Sequence, residues 1–234
     1  MFSDTVNNYW RDTFRGEGVV FEDKDFSIAT TPALEIEADG AILEMADRTL
    51  VVLREALARQ LLSDTPSSAP EFHRRLDRAG IKCHGADHLF YFPAAELKNI
   101  AEMDVSPDIR LLTEEDAALF NAFCDKATED DLDAASVELD HWLVAGAFDN
   151  GELVSAASMY PWDDMKLADT GVLTLPHARG KGYASRLFRG ISHFAIKRGF
   201  EPQYRCQLDN LPSVALAKTC GLVEFGKWDV ILSR

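Results

Sequence analysis

Between residues 184 and 195 the apolar side chains Ala184, Leu187, Phe188, Ile191, Phe194 and Ala195 recur at the spacing of one helical stripe. Arg186, Arg189, Lys197 and Arg198 lie off that stripe, and Gly199 supplies a stop. Upstream the pattern changes to short runs of strand type, at 142–148, 153–159 and 167–175. The first two are joined by Asp149-Asn150-Gly151-Glu152, a hairpin turn sequence. A short strand, Ile109-Arg110-Leu111-Leu112, precedes Thr113 and Asp116, which are spaced as a capping box for a helix reaching about Lys126. Residues 129–138 read as a second, acidic helix. After Gly199, Gln203-Tyr204-Arg205-Cys206-Gln207 reads as a strand. Pro212 opens a helix that Gly221 ends, and 227–232 closes as a strand. From Ile109 onward the predicted order is β-α-α-β-β-β-α-β-α-β.

The preceding half is mixed α/β. An aromatic helix spans 6–14, strands are predicted at 18–22, 26–30 and 49–53, helices at 54–62 and 72–79, and a strand at 89–92. The stretch 63–70, with Pro66 and Pro70, reads as a loop. Residues 102–108, with Pro107, mark the boundary between a region 1–105 and a domain 106–234.

Chemistry concentrates at 171–187. There an apolar strand ends at Pro176, a basic glycine-bearing turn follows, and the amphipathic helix begins. Such a turn aims backbone N–H groups and the positive end of a helix at one spot, which suits phosphate oxygens. Gly180 and Gly182 permit close approach to the backbone, and Arg179 and Lys181 add positive charge. A P-loop does not fit, because Lys181 is followed by Gly182 rather than by a hydroxyl residue. The dinucleotide fingerprint also fails, since its third glycine position holds Ser185.

His177-Ala178-Arg179-Gly180-Lys181-Gly182 resembles the acetyl-CoA motif Q/R-x-x-G-x-G/A of the GNAT family of N-acetyltransferases, with His177 in the first position. Asn210, Ser213 and the closing Gly221-Leu222 resemble that family's N-x-x-[AS]…G-[FL] ending. The likeness covers about half the chain. It implies a GNAT acyl-CoA N-acyltransferase fold of α/β (α+β) class, with a mixed central sheet and two splayed parallel strands. The first region then resembles the divergent N-terminal part of two-part GNAT proteins, read as a degenerate copy of the fold.

The resemblance further implies that coenzyme A lies between the strand ending near Leu175 and the strand 203–207. Backbone groups of Leu173, Thr174 and Leu175 would pair with the pantetheine arm. The amides of Gly180, Gly182, Tyr183 and Ala184 would hold the pyrophosphate, with Asn210 and Ser213 at the exit of the arm. The implied reaction is direct acetyl transfer from acetyl-CoA to an amine, which needs a base for the ammonium proton. Asp169 on the same strand is the favoured base, with Glu152, Asp163 and Asp164 as alternatives. Many family members place a general-acid Tyr seven residues after the Asn. Ala217 stands there in this chain, which leaves Tyr160 or Tyr183 as substitutes and keeps open a catalytically silent acyl-CoA-binding sensor or interaction module.

The chain has 234 residues, 47% of them hydrophobic, enough for a sizeable core. The net charge of −15 is uneven. Residues 165–234 carry 11 basic and 5 acidic side chains, whereas residues 1–164 carry 13 and 34. A positive C-terminal part suits an anionic co-substrate. The acidic remainder argues against nucleic acid as partner and is compatible with a cationic small-molecule amine. No run is long enough for a membrane helix, and residues 1–15 hold no signal-peptide core. Four scattered cysteines, Cys83, Cys124, Cys206 and Cys220, fit a reduced cytoplasmic setting. Cys83, His84 and His88, with Asp87 the only nearby supplement, fall short of a four-ligand zinc pattern, and no metal is expected.

Overall fold

A computed structural model describes residues 1–32, 34, 38–163 and 165–232. The leading elements are α1 (Asp4–Arg15), β1 (Gly18–Glu22), β2 (Phe26–Thr31), β3 (Ala38–Glu44), β4 (Thr49–Arg54), α2 (Glu55–Leu61), α3 (Ala69–Ala79), β5 (Asp87–Tyr91) and α4 (Ala94–Glu102). There follow β6 (Ile109–Leu111), α5 (Ala117–Cys124), α6 (Glu129–Ala135), β7 (Leu143–Asp149), β8 (Glu152–Pro161) and β9 (Leu167–Thr174). The chain closes with α7 (Tyr183–Lys197), β10 (Glu201–Gln207), α8 (Leu211–Cys220) and β11 (Val223–Leu232). From β6 onward this is the order read from the sequence.

Two compact units divide the chain discontinuously. One holds Met1–Thr5, Phe90–Arg205 and Leu211–Val223. The other holds Val6–Leu89, Cys206–Asn210 and Glu224–Arg234.

The first unit is built on strands in the order β5-β10-β9-β8-β7-β6. Pairing is antiparallel from β6 through β9, and β9 runs parallel to β10. Small strand residues (Ala145, Ala147, Ala157, Ala168) form a shallow face on which α7 lays Leu187, Ile191 and Ala195. These three helix residues are fully buried, so the stripe read from the sequence is the one that packs. The opposite face carries Val144, Ala156 and Leu173 against Phe120 and Phe123 of α5 and Val137 after α6. The start of the α5 segment is tied by Asp116, whose Oδ2 accepts the Thr113 N–H at 3.0 Å. Thr128 caps α6 by accepting the Asp131 N–H at 3.1 Å.

The second unit orders its strands β1-β2-β4-β3-β11, parallel only between β2 and β4. Ile28, Ile42 and Leu53 pack there against Leu57 and Leu61 of α2 and Phe72 and Leu76 of α3. Trp10 of α1 meets Phe225 and Trp228 of β11.

Two elements give no sequence signal. In β3 the run from Gly40 to Leu43 has almost no exposed position, and a strand covered on both faces shows no alternation. In α4 only Ile100 is fully buried, too thin a stripe to read as periodic. Helix α3 also starts earlier than expected, with Pro70 inside its first turn, where the missing N–H is harmless. Among the described residues no helix is long and apolar enough to cross a membrane.

Gly171 in β9 allows the end of α6 to approach the sheet: a Cβ there would stand 2.2 Å from the Ala135 carbonyl oxygen. Gly171→Val should therefore push the α6 end outward and cost about 2 kcal/mol. Urea denaturation followed by far-UV circular dichroism measures this, and an unchanged midpoint would contradict the packing.

Candidate active site

The β9–β10 ladder is short. Its register runs Glu201↔Leu167, Pro202↔Ala168 and Gln203↔Asp169, although β9 continues to Thr174 and β10 to Gln207. On its other edge β9 stays paired with β8 as far as Ser155↔Thr174. The Leu175 N–H donates to Val154 O at 3.0 Å, on the β8 side. Backbone groups alternate direction along a strand, so Leu173 also faces β8, and the N–H and C=O of Val172 and Thr174 face β10. Beyond Asp169 those groups have no ladder partner in β10. Of the expected Leu173–Leu175 trio, Thr174 therefore faces the divergence together with Val172, whereas the backbone groups of Leu173 and Leu175 turn to β8.

Past Pro176–Ala178, a single 3₁₀ turn, the chain reaches two glycines with left-handed backbone, φ +75° at Gly180 and φ +79° at Gly182. A Cβ built on Gly180 meets no atom within 4 Å. Gly182 is the N-cap of α7 and offers no side-chain acceptor to the helix. The first intrahelical bond there runs from the Arg186 N–H to Gly182 O, at 3.2 Å. The amides of Tyr183, Ala184 and Ser185 therefore emerge from the helix start without intrahelical acceptors. Lys181 is exposed beside them. The two arginines of this segment hold its frame instead. Arg179 donates to Thr174 O at 3.0 Å and pairs with Asp131 at 2.9 Å. Arg186 donates to Lys181 O at 3.2 Å and pairs with Asp108 at 3.1 Å.

At the last rung of the ladder, Tyr160, Asp169 and Gln203 stand in register across β8, β9 and β10. The Tyr160 hydroxyl donates to Asp169 Oδ2 at 3.0 Å, and Gln203 Nε2 donates to Oδ1 at 3.1 Å. Arg205 adds Nε at 3.1 Å and Nη2 at 2.8 Å, both to Oδ2. Gln203 in turn accepts from the Tyr91 hydroxyl. The Arg205 guanidinium also lies 4.4 Å from the Trp162 ring centre. Burial, reinforced by the negative Asp169, pushes the Tyr160 phenol up to about 12. His141 flanks the row, its ring centre 5.1 Å from that of Tyr160 and its Nδ1 2.8 Å from Ser158 Oγ.

The Acetyltransferase (GNAT) family model matches residues 109–222. These residues are a GNAT acetyltransferase domain. Among solved structures, a GNAT-family protein from Novosphingobium aromaticivorans is similar at 18% identity and a TM-score of 0.47, over 79% of this chain and 83% of its own. A GNAT-family acetyltransferase from Colwellia psychrerythraea gives 14% and 0.48, over 65% and 57%. A ribosomal-protein-alanine N-acetyltransferase from Brucella melitensis gives 20% and 0.39, over 53% and 99%. A search of curated proteins returned no match.

Within the GNAT domain, Ala217 is fully buried, so its methyl packs inward from α8. Ser213 lies in the first turn of α8. Asn210 belongs to the second unit, where its N–H donates to Gln207 O at 3.1 Å. Tyr183 is engaged by Asp149 and by the Arg186 guanidinium over its ring. Glu152 accepts from Lys126 Nζ at 2.7 Å, which holds its carboxyl below the usual range. Asp163 occupies the turn after β8 with φ +47°, and Asp164 lies outside the described residues. Burial pushes the Cys220 thiol to about 12 and the Cys83 thiol to about 11, which removes both as ready nucleophiles. Among the described residues no three His, Cys, Asp or Glu side chains are grouped to hold a metal ion. Arg205 and His141 escaped the sequence reading. No motif marks either one, because Arg205 gains meaning only from its pairing with Asp169 and His141 only from its packing on Tyr160.

The Tyr160 value gives a pH dependence with a definite sign. The folded-state pKa of about 12 lies above the ordinary 10.0, so the protonated phenol's contribution is complete below pH 10. It is lost as pH rises from about 10 toward 12. Tyr160→Phe removes this loss. The stability gap between parent and variant, read by denaturant titration, should narrow through that window, whereas a constant gap would contradict the assignment.

Proposed function

We propose that this chain transfers the acetyl group of acetyl-CoA to the amine of a small molecule. The parting of β9 from β10 beside the amide-rich turn carries this reading. It joins the Val172 groups and the Thr174 N–H, which have no ladder partner in β10, to an anion-binding helix start. The residues fit the co-substrate: Gly180 leaves space beside the backbone, and Gly182 leaves the helix start uncapped. The diphosphate falls to the amides of Gly180, Gly182, Tyr183 and Ala184 with the Lys181 ammonium. The pantetheine arm falls to Val172 and the Thr174 N–H, and Ser213 stands at its exit on the strength of the family pattern. Arg179 and Arg186 brace the loop from behind.

Bound there, acetyl-CoA supplies an activated thioester for an uncharged amine. The protein must remove a proton from the ammonium form of that amine. Asp169 suits this poorly, because its two oxygens already accept four hydrogen bonds. We assign it to positioning Tyr160 and Arg205. Tyr160, at about 12, holds its proton too firmly to serve a departing thiolate. We assign the base to His141, whose imidazole is the titratable group resting on that row. The thiolate is a good enough leaving group for solvent to protonate it. The four cysteines are free thiols, in keeping with a cytoplasmic protein.

A second reading, a silent acyl-CoA-binding module, draws on the buried Ala217. Thiol release from acetyl-CoA with a panel of polyamines and amino acids separates the two. Release supports transfer, while coenzyme A binding with no release for any amine supports the module. Gly180→Asp places a carboxylate where the diphosphate would sit. It should weaken coenzyme A binding about a hundredfold or more in calorimetry. The cost to the fold is about 1 kcal/mol, since Asp tolerates the left-handed backbone. Unchanged affinity would discard the loop assignment. His141→Gln should lower kcat/KM by about a hundredfold or more, with coenzyme A affinity kept. A variant as active as the parent would discard His141.

A further inference from the structure

His141 rests on a buried hydroxyl that the acetyl-transfer reading leaves idle. Ser158 of β8 has no exposed surface. It cannot touch a substrate, so any part it plays runs through a neighbour. Its Oγ lies 2.8 Å from His141 Nδ1, whereas the His141 side chain keeps 19% of its surface exposed.

The surroundings of that hydroxyl come from the end of α6. Ser158 stands in register with Gly171 of β9. A Cβ on Gly171 would lie 2.9 Å from the Ser136 carbonyl oxygen, so the bare glycine lets this carbonyl approach the sheet beside Ser158. Ser136 closes α6 in the left-handed conformation, at φ +47°. Its carbonyl oxygen is 3.5 Å from Ser158 Oγ, and the Glu138 nitrogen is 3.3 Å from the same atom.

Bonding capacity then gives the contacts a direction. A serine hydroxyl has one hydrogen and accepts through its lone pairs. The Ser136 carbonyl can only accept, and the Glu138 amide can only donate. With the Ser158 hydrogen given to Ser136, His141 Nδ1 meets an acceptor and donates to it. A neutral imidazole carries one N–H, so the lone pair is left on Nε2. Glu138 pulls the other way, because its Oε2 stands 3.9 Å from Nε2 and favours a proton there.

We propose that Ser158 is a positioning residue: it holds neutral His141 as the Nδ1–H tautomer and so leaves the Nε2 lone pair for the acceptor's ammonium. This rests on His141 as the base. In the step, Nε2 takes the ammonium proton, and the electrons of the broken N–H bond stay on the amine nitrogen. The positive charge passes to an imidazolium set between the Ser158 oxygen and the Glu138 carboxylate.

Nitrogen-15 NMR of the labelled full chain, at a pH that leaves His141 neutral, reads the tautomer without turnover, and His141→Gln assigns the signal. The parent should show a protonated Nδ1 and an unprotonated Nε2. Ser158→Ala removes the acceptor and leaves Glu138 beside Nε2, so the proton should move to Nε2. The same variant should lose about tenfold or more in kcat/KM with coenzyme A affinity kept. A protonated Nε2 in the neutral parent, an unmoved proton in Ser158→Ala, or an undiminished kcat/KM in that variant would each overturn the proposal. Failure of the base reading looks different: His141→Gln would keep its activity while the parent tautomer stays as stated.

Discussion

Arg205, two residues beyond the last rung of the β9–β10 ladder, brings its guanidinium back onto Asp169, and the candidate site is organised around that ion pair. Both side chains are largely buried, with relative exposures of 19% and 9%. Two charges removed from water at this depth are costly unless their remaining bonding capacity is met. Tyr160 and Gln203 meet it on the carboxylate side, and Tyr91 meets Gln203. The result is a satisfied polar knot where two parallel strands stop pairing. Such networks contribute geometric definition more than stability. Here they set where the sheet opens.

Opening a sheet exposes backbone groups that would ordinarily be paired, and a protein interior tolerates this only where something else takes them up. The Val172 groups and the Thr174 N–H carry that demand in β9, while Arg179 takes up the Thr174 carbonyl. A few residues later the start of α7 carries a similar one, with uncapped amides and left-handed glycines. Two regions of unmet backbone hydrogen bonding on one continuous segment favour an extended ligand with polar groups along its length and an anionic end. Arg179, which the sequence places beside the phosphate, pairs with Asp131, Arg186 pairs with Asp108, and both stiffen the turn. In the proposed reading the anion falls to the main-chain amides and Lys181, as befits an element whose dipole already points the right way.

Much of this was legible in the residues. The α7 stripe, the hairpin at 149–152, the capping of the α5 segment and the element order after Ile109 follow from local periodicity and turn chemistry. The loop at 177–182 is equally local, because glycine conformation and helix-start amides depend on neighbours a few positions away. These are short-range effects, and a single sequence carries them in full.

What tertiary structure decided is longer in range. Which backbone groups of β9 face the divergence depends on the bond between the Leu175 N–H and Val154, a contact between strands. Asp169 is an exposed-looking strand carboxylate until β10 brings Gln203 and Arg205 to it, 34 and 36 residues away. The strand β3 is hidden because both its faces are covered. Sequence specified the parts whose energetics close within a turn or two of chain. Packing specified those in which partners far apart share one carboxylate, one fork or one apolar wall.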